Sequence, residues 1–497
     1  LEGELRLETE FSPRPGYGLI SPLLTKIDGG VAVRGGADIM VLSTPGRVEI
    51  ERSTARMRFT VRAGEAAGFA LHHRSSWEET PRVLSQEEIA SLLHRTAEGW
   101  ERWSSLHQAY EGPWEDLVFH SGRVLQALQY QPTGAIVAAP TTSLPEIIGG
   151  ERNWDYRYAW VRDASFTLDA LWVAACPDEA NKFFSWIAGT VASQIIDGSD
   201  LQIMFGIGGE HDLSERELAH LPGWRDSRPV RVGNGAWNQR QLDVYGELLD
   251  AAHRLRDQLA AIDDATKRFL VQLAEAAADR WQETDHGIWE FRGGARHFVY
   301  SKVMCWLALD RAIDMADLLG AGAHVEKWTM VRDQIKEAIL EEGWSEAAGA
   351  FAQSFGSDDL DASNLMMPIV GFLPATDPRM LATIDATAEH LTDERGLVYR
   401  YRAEDGLRGD EGTFLLCTFW LAEALALSGR TERARDTFEK AIAFANDVGL
   451  LSEEVDEKSG ELLGNFPQAF SHIGLINAAW SISQAERASS DGSGRSP

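Results

Sequence analysis

Two loop segments place carboxylates in contrasting company. His286-Gly287-Ile288-Trp289-Glu290 sets an acid beside apolar side chains, while Leu450-Leu451-Ser452-Glu453-Glu454-Val455-Asp456, followed by Gly460-Glu461, sets acids among polar ones. A carboxyl flanked by Trp289 and Ile288 is partly desolvated, which disfavours its charged form and suits a proton donor. The more polar group suits a carboxylate that stays ionised. Two carboxyls in different environments are what acid-base cleavage of a glycosidic bond requires, one protonating the leaving oxygen and the other activating a nucleophile. With 76 acidic residues in the chain, composition alone does not select this pair.

A third segment, Gly149-Gly150-Glu151-Arg152-Asn153-Trp154-Asp155-Tyr156-Arg157-Tyr158-Ala159-Trp160-Val161-Arg162-Asp163, is the densest in aromatic and charged residues. Trp and Tyr offer flat faces to the C–H side of a sugar ring, and Asp, Arg and Asn offer bidentate hydrogen bonds to vicinal hydroxyls. The alternative is that the aromatics pack beneath a loop and Asp163 caps the helix that follows. For the cluster as a whole, sugar binding is the better account. His211-Asp212 and Asp358-Asp359 with Asp361 lack a recognisable metal-ligand spacing and read as solvated loop acids, so no metal site is assigned.

The elements that must position these loops change character along the chain. From Leu1 to about His73 the pattern alternates, as in Val31-Ala32-Val33-Arg34 and Met57-Arg58-Phe59-Thr60-Val61-Arg62, which predicts strands with one buried face. Residues 1–83 are therefore an N-terminal β domain. Ile89, Leu92, Leu93 and Trp100 then fall at helical spacing, a linker helix within 84–113. Between Trp114 and about Ala485 the pattern predicts amphipathic helices at 114–130, 163–175, 179–194, 235–253, 264–281, 300–319, 325–341, 360–373, 378–391, 412–427, 431–447 and 466–486. No fixed period supports a repeat array. A closed helical barrel with an inner and an outer ring fits better, its loops at one end building the site. The Ser- and Gly-rich tail 488–497 is expected to be disordered.

The 497 residues, 44% hydrophobic, can bury a large core. No apolar run reaches the ~18 residues of a membrane span, so no membrane partner is expected. A formal charge of −29 without a basic stripe excludes a nucleic-acid partner. Cys176, Cys305 and Cys417 are too sparse for a disulfide framework and read as buried thiols in a reducing cytoplasm. The chain begins at Leu1 with no signal peptide in view, and cytoplasmic localisation is the expectation. Oligomeric state is open, a homo-oligomer included.

The string from Gly150 to Leu171, with Arg152-Asn153-Trp154-Asp155-Tyr156-Arg157 and Trp160-Val161-Arg162-Asp163, resembles the hallmark of glycoside hydrolase family 15, the bacterial and archaeal glucoamylases, glucodextranases and trehalases. Further matches are collinear: Gly206-Ile207-Gly208-Gly209-Glu210; Pro229 to Ala236; Gln241 to Glu247; Gly287-Ile288-Trp289-Glu290; Ser301-Lys302-Val303-Met304; Glu411-Gly412-Thr413-Phe414; and Asn465 to His472. They cover essentially all of 114–485.

The resemblance implies a mainly α fold, an (α/α)6 barrel over 114–487 preceded by an antiparallel β-sandwich. At about 80 residues, the β domain is shorter than the family's usual sandwich, which implies missing strands. It implies hydrolysis by inversion, with no cofactor or metal required for chemistry. The family's general acid maps onto Glu290 of the Trp289-Glu290 pair and its general base onto Glu453 of Ser452-Glu453. Its Trp-x-Arg-Asp motif, which holds the terminal glucose, maps onto Trp160, Arg162 and Asp163, with Trp154 and Asp155 beside them. Arg400, Arg402, Glu404 and Asp405 are further substrate-binding candidates. The expected substrate is a small α-glucoside or α-glucan. With no starch-binding module or secretion signal in view, α,α-trehalose is favoured over α-1,4 or α-1,6 glucan ends. A phosphorolytic enzyme would need a phosphate pocket in place of the Ser452-Glu453 match, and a non-catalytic sugar-binding protein would have lost a catalytic carboxylate.

Overall fold

The computed structural model describes residues 3–106, 109–174, 177–195, 200–256, 263–403, 406, 409 and 411–493. The chain divides into two compact units, Leu1–Leu106 and His107–Pro497.

In the first unit, β1 (Glu4–Phe11), β2 (Leu23–Ile27), β3 (Gly30–Gly35), β4 (Asp38–Ser43), β5 (Arg47–Glu51), β6 (Thr54–Arg62) and β7 (Ala70–Ser75) form two antiparallel sheets, ordered β1-β6-β5 and β2-β3-β4-β7. Alternation decides which side chains face inward. Leu24, Val31, Val33 and Leu42 from one sheet and Val48, Ala55 and Met57 from the other share a single apolar core. Arg56 and Arg58, between the inward positions of β6, ion-pair with Glu10 and Glu8 directly across on β1. Helix α1 (Gln86–Leu106) follows, buried among the described residues at Ile89.

The second unit is mainly helical: α2 (Glu115–Leu128), α3 (Asp163–Ala174), α4 (Pro177–Ile195), α5 (Val244–Arg254), α6 (Asp264–Arg280), α7 (Val299–Asp314), α8 (Ala316–Leu319), α9 (Val325–Glu342), α10 (Met366–Ile369), α11 (Pro378–His390), α12 (Leu415–Leu427), α13 (Thr431–Ile442) and α14 (Ala469–Ser493). Two kinds of helix are present. α7 and α12 are buried nearly all round, whereas α9 buries Trp328, Val331, Ile335 and Ile339 and α13 buries Ala434, Phe438 and Ala441, single stripes at helical spacing. The helices pack in succession, α3 on α5, α5 on α7, α7 on α10, α10 on α12, α12 on α14 and α14 back on α3. α2, α4, α6, α9, α11 and α13 pack on members of this closed circuit.

The structure departs from the sequence reading at four places. The segment 235–243 is a run of turns, and α5 starts only at Val244. The segment 360–373 is a 3-10 turn, Ala362–Leu365, followed by the short α10, because Pro368 lacks an amide proton and Gly371 adopts φ 81°. Two-residue strands appear where no strand was expected: β8 (Ala159–Trp160) with β9 (Met204–Phe205), β10 (Arg216–Glu217) with β11 (Arg231–Val232), β12 (Trp344–Ser345) with β13 (Ala350–Phe351), and the sheet of β14 (Thr413–Phe414), β15 (Glu454–Val455) and β16 (Leu462–Leu463). Finally, α14 continues to Ser493, past the boundary read at 487, because Ala485, Glu486, Arg487 and Ala488 are good helix formers. No helix among the described residues is long and apolar enough to cross a membrane. Cys305 and Cys417 are buried free thiols, and Cys176 lies outside the described residues.

Candidate active site

The loops carrying the three segments converge on one open cavity, about 710 Å³ of empty space with its mouth included. Glu290, Glu453, Trp154, Trp160, Arg162, Asp163, Trp289 and Arg400 all line it.

Glu290 sits in a tight turn before α7, where its amide donates to Gly287 O at 3.2 Å and that of Phe291 donates to His286 O at 3.1 Å. The turn is anchored by Asp285, whose carboxylate accepts from Leu242 N at 3.0 Å and Ser301 Oγ at 2.7 Å. Gly287 must be glycine, since φ is +67° and a Cβ would lie 2.8 Å from the Phe298 ring. Glu290 itself has φ 59°, a left-handed backbone that costs a residue with a Cβ about 1 to 2 kcal/mol. Its Oε1 accepts from Trp160 Nε1 at 2.7 Å and lies 3.6 Å from Arg162 Nη1. Arg162 also donates to Ile288 O at 2.6 Å, so one side chain ties the acid's loop to the start of α3.

Glu453 enters from the opposite part of the chain. Its carbonyl accepts from Leu415 N at 3.1 Å, and the next two residues form β15 between β14 and β16. Its Oε1 accepts from Tyr156 Oη at 2.9 Å and from Gln468 Nε2 at 3.3 Å, while Oε2 has no hydrogen-bond partner. Gly464, with φ +80°, makes room for that free oxygen, because a Cβ there would stand 3.0 Å from it. The rings of Tyr156 and Trp160 meet edge to face at 5.5 Å. The two carboxyls are thus linked, Glu453 through Tyr156 and Trp160 to Glu290.

Behind Glu453 lies a buried charge network. Arg152 and Arg400 both pair with Glu411, Arg400 at 2.5 Å, and Arg400 also reaches Glu454 at 3.8 Å. Glu146 Oε1 lies 3.4 Å from the same Tyr156 Oη. Oxygens of Glu146, Glu411 and Glu454 lie within 4.8 Å of one another, the set of carboxylates among the described residues close enough to hold a cation. The guanidinium groups of Arg152 and Arg400 already supply positive charge there. Burial holds Glu146 and Glu454 well above the usual carboxylate range, and neighbouring carboxylates add to it, Glu453 for Glu146 and Glu146 for Glu454.

Burial also pushes Glu453 up to about 7 against the pull of Arg400, which reverses the expectation that Glu453 occupies the more polar surroundings. The polar neighbours in sequence are there, but the segment folds into the interior and leaves Glu453 4% exposed. At the start of α3, burial raises Asp163 to about 7, opposed by Arg162 at 3.6 Å.

Other candidates sit differently. Asp155 is fully buried and absent from the cavity wall: it accepts twice from Arg157, at 2.8 and 2.7 Å, and from Gly233 N at 3.1 Å, so it fixes the loop and has no room for a sugar hydroxyl. Arg402 is exposed, lies over the Tyr399 ring at 4.4 Å and is not among the residues lining the cavity, its guanidinium being taken up by that ring. Glu404 and Asp405 lie outside the described residues. Asp361, weighed as a metal ligand, accepts from Trp289 Nε1 at 2.9 Å and from Ser363 N at 2.8 Å, thereby holding Trp289.

The cavity wall also includes Glu146, Arg152, Tyr156, Phe291, Arg292, Tyr401, Glu411 and Gln468, which were not singled out as site residues. Arg152, Tyr156, Glu411 and Gln468 stand within the matched motif strings and could have been found there. Glu146 carries no such signal.

The model of glycosyl hydrolases family 15 matches residues 112–480, and the chain belongs to that family. A trehalase of Mycolicibacterium smegmatis is 44% identical over 448 residues, 90% of this chain and 66% of that protein. A trehalase of Thermoplasma volcanium is 37% identical over 480 residues, 96% of this chain and 75% of its own length. The chain spans about two thirds of the mycobacterial relatives, 66% and 65%. Among solved structures, a bacterial glucoamylase complexed with acarbose superposes with a TM-score of 0.70 at 16% identity, over 93% of this chain and 74% of that one, a likeness of fold.

Proposed function

We propose that the protein is an inverting, exo-acting glycoside hydrolase that releases β-glucose from α-glucosides, with α,α-trehalose as its substrate. The observation that carries this reading is the placement of Glu290 and Glu453 on one cavity with Arg162, Asp163 and Trp160 between and beside them. The choice of trehalose is supported by relatives named trehalases. The closed circuit of helices with a second set packed on it supports an (α/α)6 barrel as the catalytic domain over 114–487.

In this reading Asp163 and Arg162 hold the hydroxyls of a terminal glucose, with Trp154 and Trp160 against its faces. Glu290, protonated, gives its proton to the glycosidic oxygen as the bond stretches toward an oxocarbenium-like state. Glu453 takes a proton from a water bound at its free Oε2, and that water attacks from the opposite face. Only side chains and water take part, without cofactor. An inverting pair stands about 6.5 to 9.5 Å apart to admit the water.

Glucose release from trehalose, maltose, maltotetraose and isomaltose, with proton NMR of the first anomer formed, tests the proposal. From trehalose, equal initial amounts of β-glucose, from the half attacked by water, and α-glucose, the leaving half, both lost by on the order of 10² to 10⁴ in rate in Glu290→Gln and in Glu453→Gln, are the expected result. Initial α-glucose alone from trehalose, without β-glucose, or activity surviving both substitutions, overturns it. Preference for maltotetraose or isomaltose would instead make the enzyme a glucoamylase or glucodextranase.

A further inference from the structure

The first turn of α14 grips the segment that carries Glu453. The amide of Gln468 donates to Leu451 O at 3.0 Å, Ser471 Oγ to Ser452 O at 2.6 Å, and Gln468 Nε2 to Glu453 Oε1 at 3.3 Å. One contact in this grip is of another kind: the amide of Leu451 donates to the imidazole Nε2 of His472 at 3.2 Å.

An amide has only a proton to give, so Nε2 must accept, which places the ring proton on Nδ1. That nitrogen then donates to Ser121 Oγ on α2, 2.9 Å away. His472 and Ser121 are 0% and 1% exposed, so water cannot substitute for either partner. Burial, with His120 nearby, pushes His472 down to about 3, and the ring stays neutral in neutral solution. Without the ring acceptor, the Leu451 amide would be a buried donor with no partner, which favours moving the segment toward another acceptor.

We infer that His472 is a positioning residue for Glu453, fixing the Leu451-Ser452-Glu453 segment through an imidazole held in one tautomer by Ser121. This rests on the reading of Glu453 as the general base. Leu451 lies two residues before Glu453, so a shift there displaces the carboxylate that must face the water, and a misplacement of about 1 Å costs on the order of 10²-fold in rate.

Two variants of the full chain separate positioning from bulk structure. His472→Phe keeps the ring volume without an acceptor, and His472→Gln supplies a carbonyl oxygen. Each is assayed on trehalose and on α-glucosyl fluoride, whose leaving group departs without a proton donor and so reports on the base side alone. His472→Phe should lower kcat on both substrates by on the order of 10- to 100-fold with KM within about threefold, and His472→Gln should recover most of it. Glu290→Gln, by contrast, should regain activity on the fluoride. Unchanged kcat in His472→Phe, or a loss confined to trehalose, overturns the inference. Should His472→Phe not fold, Ser121→Ala carries the test: a lower kcat on both substrates supports the inference, and an unchanged kcat overturns it. Activity surviving in Glu453→Gln would instead remove the reading beneath it, whereas an inactive Glu453→Gln beside an unaffected His472→Phe sinks this inference alone.

Discussion

At the scale of single residues, the difference between Glu453 and Glu454 is one of direction. Glu453 faces the cavity, whereas Glu454 accepts from Gly412 N at 3.0 Å and joins the carboxylates behind it. Glu453 acts as a base only when ionised, and burial holds it up to about 7, so the acid limb of kcat/KM should fall near neutrality. Burial favours the neutral form of Glu454, so Glu454→Gln exchanges one neutral group for another and keeps an oxygen for Gly412. It should therefore leave maximal kcat within about twofold and that limb in place, as pH–rate profiles of the two proteins would show. An acid limb displaced to lower pH would mean that Glu454 carries a charge that Glu453 feels. The two carboxyls proposed as acid and base could be picked out as candidates in the sequence because each sits in a short string of characteristic neighbours, and the fold brings both to one cavity. The network behind Glu453 was not, since its contacts join residues 259 and 297 positions apart, and no local pattern records that Arg152 meets Glu411 or Tyr156 meets Glu453.

At the scale of elements, helices announced themselves and the strands that shape the site did not. A helix such as α13 repeats its apolar positions over several turns, and its stripe of Ala434, Phe438 and Ala441 can be read directly. β8, β14 and β15 are two residues long, too short to have a period, yet they set Trp160, Phe414 and the residues after Glu453. The hairpin of β15 and β16 brings Gly464 against the carboxylate of Glu453, within 3.0 Å of where a methyl group would stand. Gly464→Ala should thus do two things at once. The left-handed φ should lower stability by about 1 to 2 kcal/mol, and the added carbon should push Oε2 aside. A kcat lower on the order of tenfold or more, beside a modest fall in melting temperature, is the expected pattern. Unaltered kcat would show that the carboxylate has room to yield.

At the scale of the whole molecule, the interior and the surface respond to pH in the same sense. Burial raises Asp163, Asp243, Glu423 and Glu453 to about 7, above the values near 4 that such groups have in an unfolded chain. Between those limits the folded protein binds more protons than the unfolded one. Stability is then greatest on the acid side of the window and declines as pH rises through about 7. The surplus negative charge of −29 at pH 7 adds self-repulsion in the same direction. Carboxylates lowered by partners, such as Asp250 between Arg254 and Arg311, stay ionised at mildly acidic pH and do not oppose this trend there. The melting temperature should accordingly be higher at pH 5.5 than at pH 8, by on the order of a few degrees. A melting temperature that rises toward pH 8 would mean that these carboxyls are hydrated in solution.

The left-handed backbone at Glu290 makes that position a hinge between chemistry and durability. Replacement by alanine removes the carboxylate but keeps the Cβ that the conformation resists, whereas replacement by glycine removes both. Glu290→Gly should therefore unfold at a higher temperature than Glu290→Ala, by about 1 to 2 kcal/mol in stability, as paired melting curves would show. On the proposed function, an inert variant of that kind would hold a sugar without cleaving it, turning the molecule from a catalyst into a reagent that captures its substrate.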